Sequence, residues 1–395
     1  MLHIKLRDAV QAELKMINTI GYRQCAISVM DTIADPDIVF DADGVSNYYH
    51  EFKKAYSESV KTGEEGERYL QSVVEKIKQA GQGKEYNCIM GLSGGVDSTY
   101  IAYLAKKYGL KPLAVHFDNG WNSELAVKNI ENIVEKLGFD LFTYVINWDE
   151  FKDLQIAYLK ASVVDIEAIT DHAIFATLYR IAGQKDIKYI LSGTNVQTEN
   201  TLPISWIHPK SDHINIKSIH KAYGTVKLKT FPFMDAKVKR YYQQIKGVSS
   251  VSILNYIDYN KKNVKETIQK ELGWRDYGGK HYESIWTRFY QGYILPEKFK
   301  IDKRKAHLSD LIFSGQITKE EALAELKMPI CDAAQFEADY EFVLKKLGLT
   351  EVEFKAIMSI SPRSHYDFDY EMPIDKRYPI LKPIKKIYRT IFPPK

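Results

Sequence analysis

The chain has 395 residues, 45% of them apolar and 27% charged, and its 55 Lys and Arg against 51 Asp and Glu leave a net charge of +4. That length buries a large core in roughly two or three domains, and the composition excludes a disordered or fibrous protein. So small a charge predicts no polyanionic partner such as nucleic acid. Three scattered cysteines, Cys25, Cys88 and Cys331, cannot build a disulfide framework, which fits a reducing compartment. Charges in Met1–Asp8 stand where a signal peptide needs an apolar segment, and no run is long enough to span a bilayer. The expected location is the cytoplasm.

Taken in order, residues 1–20 read as a helix with Leu6, Val10, Leu14 and Ile17 on one face. Cys25-Ala-Ile-Ser28 and Ser46-Asn-Tyr-Tyr49 have the spacing of a four-thiolate zinc knuckle, but only Cys25 is a thiol. Serine and tyrosine are poor zinc ligands, so the expectation is a small hairpin module held by Ile38, Phe40, Tyr48 and Phe52, without structural zinc. Residues 66–80 read as a second amphipathic helix, and Gly81-Gln-Gly83 as a linker.

The next stretch organises the rest. Cys88, Ile89, Met90 and Leu92 suit a buried parallel strand, Ser93-Gly-Gly-Val-Asp-Ser98 a glycine turn, and Ile101, Leu104, Ala105 and Tyr108 recur at helical spacing. Such a turn presents backbone N–H groups at a helix N-terminus, a cradle for phosphate. No Gly-x4-Gly-Lys-Ser/Thr pattern is present, so it is not of the Walker type. Ser93, Gly94, Gly95, Val96, Asp97 and Ser98 are the candidate nucleotide contacts, with Asp97 placed to hold Mg²⁺.

Strand Leu113–Phe117, helix Glu124–Leu137, strand Leu141–Ile146, a helix from Trp148 and a last strand Tyr189–Ser192 then alternate. The predicted fold is α/β, a doubly wound parallel sheet, with a small N-terminal hairpin and helix module and a mainly helical C-terminal region. The expected boundaries are 1–83, 84–245 for the nucleotide domain, and 246–395 for a substrate or partner region. Ligands of such sheets bind beyond the carboxyl ends of the strands, which selects His116, Asp118 and Asn119, then Asn147 and Asp149, then Gly193, Thr194 and Asn195. Asp171-His172 opens a helix and reads equally as a cap beside a surface histidine or as part of the site.

Beyond residue 200 the alternation stops, and 212–240, rich in lysine around Thr230-Phe-Pro-Phe233, reads as extended and loop structure. Lys298, Lys300, Lys303, Arg304, Lys305 and His307 form a basic cluster beside aromatics, read as a pocket for a multiply anionic substrate. Residues 318–357 read as small helices, with Thr318-Lys-Glu-Glu321 a capping box. The tail Tyr378–Phe392 is basic and apolar, and its prolines favour docking on the protein over a membrane.

Val29-Met-Asp-Thr32, the glycine turn, His116-Phe-Asp-Asn-Gly-Trp121, Thr170-Asp-His-Ala-Ile174, Leu254-Asn-Tyr-Ile-Asp-Tyr259, Lys280-His-Tyr-Glu-Ser-Ile-Trp-Thr-Arg-Phe-Tyr-Gln291 and Asp302-Lys-Arg304 together resemble the N-acetyl sugar amidotransferase family of the PP-loop ATP pyrophosphatases. The resemblance runs from about residue 22 to residue 327. It implies an enzyme of bacterial surface polysaccharide (O-antigen, lipopolysaccharide) biosynthesis, using ATP and Mg²⁺ to turn an acetamido group on a nucleotide-linked sugar into an acetamidino group. It also implies a separate glutaminase subunit, similar to that of histidine biosynthesis, which supplies ammonia, with a cyclase-like companion. The zinc knuckle of many members would need cysteines at Ser28, Ser46 and Tyr49. The catalytic candidates are Asp97, His172, Arg288, Lys303 and Arg304, with His172 or His281 managing protons. Asp171, His281, Glu283, Thr287, Arg288 and Lys298 are the candidate sugar-nucleotide contacts. No glutaminase nucleophile turn surrounds Cys25 or Cys331. Two other readings share the loop: a tRNA-thiolating enzyme, which needs a sulfur-carrying cysteine near the sheet edge, and a non-catalytic nucleotide-binding protein, whose loop need not be intact.

Overall fold

The strand before the glycine turn shows how the sheet is placed. The computed structural model describes residues 21–279 and 282–372. In β1 (Cys88–Gly91), Cys88 and Met90 enter one apolar cluster and Ile89 another, so both faces are covered. In β2 (Pro112–Asp118) the register sets Leu113 beside Ile89 and Ala114 beside Met90, and the same alternation follows. Parallel pairing continues to β3 (Leu141–Val145) on one side and to β4 (Tyr189–Leu191) and β5 (Ser249–Val251) on the other, giving the order β3-β2-β1-β4-β5. The doubly wound parallel sheet is therefore as predicted, and its switch point lies between β1 and β4.

Helices cover both faces. In chain order the first six are α1 (Asn47–Ser59), α2 (Gly63–Ala80), α3 (Val96–Lys107), α4 (Glu124–Leu137), α5 (Trp148–Ala161) and α6 (Ala168–Gln184). Leu70, Ile77, Leu104 and Ile133 from α2, α3 and α4 pack with Cys88 and Met90 on one face. Ala176, Leu178 and Ile181 of α6 pack with Ile89 and Ile190 on the other. Ends are fixed as the residue types dictate: Ser123 Oγ accepts the Ala126 N–H, Asn147 Oδ1 accepts the Glu150 N–H, and Gly138 leaves α4 with φ +65°.

Two expectations need correction. β5 is not among the predicted strands, because its Ser249 and Ser250 are exposed and give no apolar run. The lysine-rich stretch after residue 212 is not all extended: His213–Tyr223 is a helix, capped by Asp212 and buried through Ile216 and Ile219. Hydroxyl and histidine positions hide its apolar spacing, and the packing against α5 decides the outcome.

The C-terminal region is mainly helical: Lys261–Leu272, Ile285–Phe289, Arg304–Phe313, Lys319–Leu326, Ala333–Leu347 and Glu351–Ser359. Thr318 and Glu321 form the expected capping box. This region meets the sheet through a core containing Trp121, Tyr158, Trp286, Phe289 and Tyr290. Backbone bonds from Ser123 N to Glu283 O (2.9 Å) and Ile285 N to Trp121 O (2.8 Å) draw residues 283–285 to the end of β2. In the N-terminal module Ile38, Tyr48 and Phe52 are buried, and the Tyr48 hydroxyl donates to Asp35 Oδ2 at 2.5 Å. Cys25 Sγ accepts the N–H groups of Ser28 (3.4 Å) and Ser46 (3.3 Å). The predicted helix over 1–20, His281 and the tail from Tyr378 lie outside the described residues.

Candidate functional site

The glycine turn sits at the carboxyl end of β1, where its conformation is set by contact. Gly94 has φ +79°, and a Cβ there would stand 2.7 Å from Ala126 O, so only glycine fits. At Gly95 a Cβ would meet Glu283 Oε1 at 2.9 Å and Ser93 Oγ at 3.0 Å. The hydroxyls close the turn: the Ser93 N–H donates to Ser98 Oγ (3.3 Å), the Gly95 N–H to Ser93 Oγ (3.2 Å), and the Thr99 hydroxyl to Gly95 O (2.6 Å).

Side chains far along the chain complete the cradle. Trp274, buried, donates its indole N–H to Gly94 O at 2.8 Å. The Val96 N–H, first in α3, donates to the Tyr277 hydroxyl at 3.2 Å, and Ser93 Oγ to Glu283 Oε1 at 3.4 Å. Asp97 Oδ1 accepts a short hydrogen bond from the buried Tyr259 hydroxyl. Burial, then the charge of Asp97, and further down that of Glu199, push the Tyr259 phenol well above its ordinary value, so it stays a donor. Asp97 thus sets a carboxylate at the start of the helix, with Tyr259 donating to one of its oxygens. Among the described residues no cluster of three or more His, Cys, Asp or Glu could hold a metal by itself. A single carboxylate fits a Mg²⁺ that takes phosphate oxygens or water as its other ligands.

The neighbouring strand ends converge here. His116, buried at the end of β2, donates from Nδ1 to Leu92 O (3.0 Å) and accepts Asn122 Nδ2 at Nε2 (3.0 Å). Asp118 Oδ1 accepts the Gly120 N–H (2.8 Å), and Asn119 Oδ1 the Trp121 N–H (3.2 Å), so both shape the turn after β2. Beyond β4, a Cβ on Gly193 would lie 3.4 Å from Asp97 Cβ, which brings the two loops together across the switch point. Thr194 Oγ1 bonds Ser192 Oγ (2.9 Å) and Ser252 Oγ (2.8 Å). Asn195 caps the short helix Val196–Glu199, which carries Glu199.

Other candidates are held by protein groups. His172 is buried: Nδ1 donates to Lys210 O (2.8 Å) and Nε2 accepts the Met234 N–H (3.1 Å), while burial lowers its basicity. The ring is therefore a neutral strut between two loops. Asp171 pairs with Lys210 at 3.2 Å, and Lys210 also holds the buried Asp165 at 2.7 Å. Burial alone would raise Asp165, but Lys210, with a smaller contribution from Lys303, holds it below the usual carboxylate range. Thr287 donates to Glu167 Oε1 at 2.6 Å. Arg288 makes a bidentate pair with Asp339 (2.6 and 2.7 Å). Lys298 donates to the carbonyls of Ile357 and Ile360, each at 2.8 Å, and burial brings its amine down to about 8. Arg304 is taken up by Asp302 and by Met328 O (2.9 Å), and Lys305 by Asp31 (2.5 Å). Lys298, Arg304 and Lys305 thus turn to separate protein acceptors.

Glu199, Tyr259 and Tyr277 carry no site role in the sequence reading, although Tyr259 closes one of the motifs behind the resemblance. Tyr259 stands 162 residues from Asp97, and no spacing rule joins them. The signal on offer was a run of aromatics, Tyr256, Tyr259, Trp274 and Tyr277, in an otherwise polar stretch.

Comparison with known proteins bears on both halves. Residues 283–382 match the family model described as LPS biosynthesis protein WbpG-like, C-terminal domain, and residues 65–205 match the NAD synthase model. An uncharacterized protein of Methanocaldococcus jannaschii is 24% identical over 274 residues, covering 67% of this chain and 80% of that one. The tRNA(Ile)-lysidine synthase of Chlamydia pneumoniae is 36% identical over 67 residues, 16% of this chain and 21% of its own length. Among solved structures, the NMN synthetase of Francisella tularensis is 14% identical, covering 72% of this chain and 97% of its own, with a TM-score of 0.32. The NH3-dependent NAD synthetase of Campylobacter jejuni is also 14% identical, covering 75% and 98%, with a TM-score of 0.30. The chain thus carries an NAD synthase-like, PP-loop stretch over residues 65–205 and, over residues 283–382, a stretch similar to the WbpG-like C-terminal domain described for lipopolysaccharide biosynthesis.

Proposed function

We propose that this protein is an ATP-dependent amidotransferase that converts the acetamido group of a nucleotide-linked N-acetylated sugar into an acetamidino group, with release of AMP and pyrophosphate. The observation that carries this reading is the intact glycine turn, with Gly94 in a conformation closed to other residues and Asp97 held one step inside the helix by Tyr259. The WbpG-like match supplies the link to surface polysaccharide, and the printed activities of the synthetase relatives supply precedent for joining nitrogen to carbon.

An amide carbon resists ammonia because its oxygen is a poor leaving group. Attack of the acetamido oxygen on the α-phosphorus of ATP breaks the bond to pyrophosphate and forms an imidoyl adenylate. Ammonia then adds to that carbon, AMP leaves carrying the former acetamido oxygen, and a proton is lost to give the amidine. The N–H groups at the start of α3 and the hydroxyls of Ser93 and Ser98 receive the departing pyrophosphate, which is positioning and charge stabilisation rather than covalent work. Asp97 would hold Mg²⁺, which would offset phosphate charge. The Tyr277 hydroxyl and Glu283 carboxylate now stand at the Val96 and Ser93 donors and give way to phosphate oxygens. Ammonia comes from a separate glutaminase subunit, and the work is done in the cytoplasm, where sugar nucleotides are made.

The test is AMP and pyrophosphate release by purified protein with ATP, Mg²⁺ and ammonium across a panel of nucleotide-linked N-acetylated sugars, with product mass. Oxygen replaced by NH lowers the sugar by about one mass unit. ATP consumption that depends on added RNA, with no change in any sugar, would overturn the reading.

A further inference from the structure

On the α6 face of the sheet a cavity of about 440 Å³ opens beside the switch point, within the range of roughly 300–1,000 Å³ typical of small-molecule sites. Its rim is Gly91, Ser192 and Gly193, the carboxyl ends of β1 and β4, and the same Gly193 touches Asp97 on its other side. The cavity therefore shares a wall with the phosphate loop without being part of it.

Its lining has a consistent chemistry. Phe175 of α6 is 44% exposed, although its neighbours Ala173 and Ala176 are buried, so a phenyl face is left open at the cavity. The segment Ala236–Arg240 runs into a π-helical turn, Tyr241–Ile245, whose Gln243 also lines the cavity and donates its amide to the Tyr179 hydroxyl at 3.3 Å. Such turns are wider than α-helix and concentrate at functional sites. Ser192 and Ser211 add neutral hydroxyls. The two groups here that would suggest an ionic or catalytic pocket are already committed: Lys210 to Asp165 and Asp171, and His172 to backbone on both nitrogens. Lys239 is the lining cation for which no ion pair is seen among the described residues. Apolar side chains such as Leu178, Leu191 and Met234, an open aromatic face, neutral amide and hydroxyl groups and one lysine suit a ring with both apolar and hydroxylated faces and an anionic arm, which is the chemistry of a nucleotide-linked sugar.

We propose that this cavity binds the pyranose ring of the acceptor, stacked on Phe175, with Gln243 to its hydroxyl or acetamido groups and Lys239 to its diphosphate. This rests on the amidotransferase reading and says where the second substrate lies: across the Ser192–Gly193 rim from the α-phosphate it must attack.

The experiment uses the full-length protein and direct binding, by calorimetry or saturation-transfer NMR, of two probes: UDP-N-acetylglucosamine together with a panel of other N-acetylated sugar nucleotides, and a non-hydrolysable ATP analogue. Phe175→Ala and Gln243→Ala are expected to weaken the best sugar nucleotide by about tenfold or more each, a loss typical of one stacking or hydrogen-bonding contact, while the ATP analogue binds as before. Phe175→Ala removes an exposed group, so folding is preserved and is checked by the same ATP-analogue titration. Unchanged sugar-nucleotide affinity in both variants would place the acceptor elsewhere and leave amidine formation standing. Loss of the ATP analogue instead would make the cavity the nucleoside's. If no sugar nucleotide binds the wild type while the ATP analogue does, the carbohydrate reading and this inference fall together.

Discussion

The glycine turn at residues 92–98 and the basic stretch at 298–305 both read as anion sites in the sequence, and they differ in what their polar groups already hold. At the turn, among the described residues, the N–H groups and hydroxyls rest on neutral or acidic groups. The donors are N–H groups and hydroxyls, and the groups resting on them, Tyr277 and Glu283, come from one crossing segment. In the basic stretch three of the cations have protein acceptors: Lys298 two carbonyls of a helix end, Arg304 Asp302 and a carbonyl, Lys305 the buried Asp31. Arg288, nearby in sequence, is forked onto Asp339. Cations in such settings hold the C-terminal helices together. Backbone dipoles at a helix start attract an anion without carrying a formal charge that must be neutralised when the site is empty.

The contrast can be broken in graded ways. On the proposed role of Asp97 at the reacting phosphates, Asp97→Ala should lower AMP release by about 10²–10³-fold or more, while losing about 1–3 kcal/mol in unfolding for the buried Tyr259 hydroxyl left without its acceptor. Intact turnover would remove the metal role. Arg288→Ala should act in the opposite sense. It leaves the Asp339 carboxylate, 7% exposed, without its partner, and a loss of about 3–5 kcal/mol in denaturant unfolding is expected. An unchanged midpoint with a raised KM for the sugar nucleotide would return Arg288 to the substrate.

Gly94→Ala should cost about 1–3 kcal/mol of stability through its φ of +79° and should also distort the cradle, so both unfolding and ATP affinity shift. The smallest effect concerns pH. His365 accepts the Asp165 N–H at Nε2 (3.2 Å) and faces Asn215 Oδ1 from Nδ1 (2.9 Å), and burial brings it down to about 3 from 6.5. Below pH 6.5 the unfolded chain binds a proton that the folded ring refuses, so stability falls as pH drops from about 6.5 towards about 3. His365→Gln, compared by chemical denaturation at neutral and mildly acidic pH, should flatten that slope. A slope identical to wild type would locate the acid sensitivity elsewhere.

Much of the nucleotide end could be read in advance because its signals are short-range. The apolar run Cys88–Leu92, the glycines and the helical spacing after Ser98 lie within one turn-and-helix unit, and β2, α4, β3 and α5 follow by the same periodicities. What escaped depends on distant partners. That Arg304 reaches Met328 O, that His172 ties Lys210 to Met234, and that Asp97 has Tyr259 above it follow from packing between segments. β5 escaped for a different reason: a three-residue edge strand needs only backbone pairing to β4 and leaves no pattern in its side chains.

The most direct test of the account follows the acetamido oxygen. A sugar nucleotide carrying ¹⁸O in its acetyl carbonyl, turned over with ATP and ammonium, should yield AMP that is heavier by the label, with unlabelled pyrophosphate and an unlabelled amidine. Unlabelled AMP beside a sugar that retains its ¹⁸O would contradict adenylation of the acetamido group.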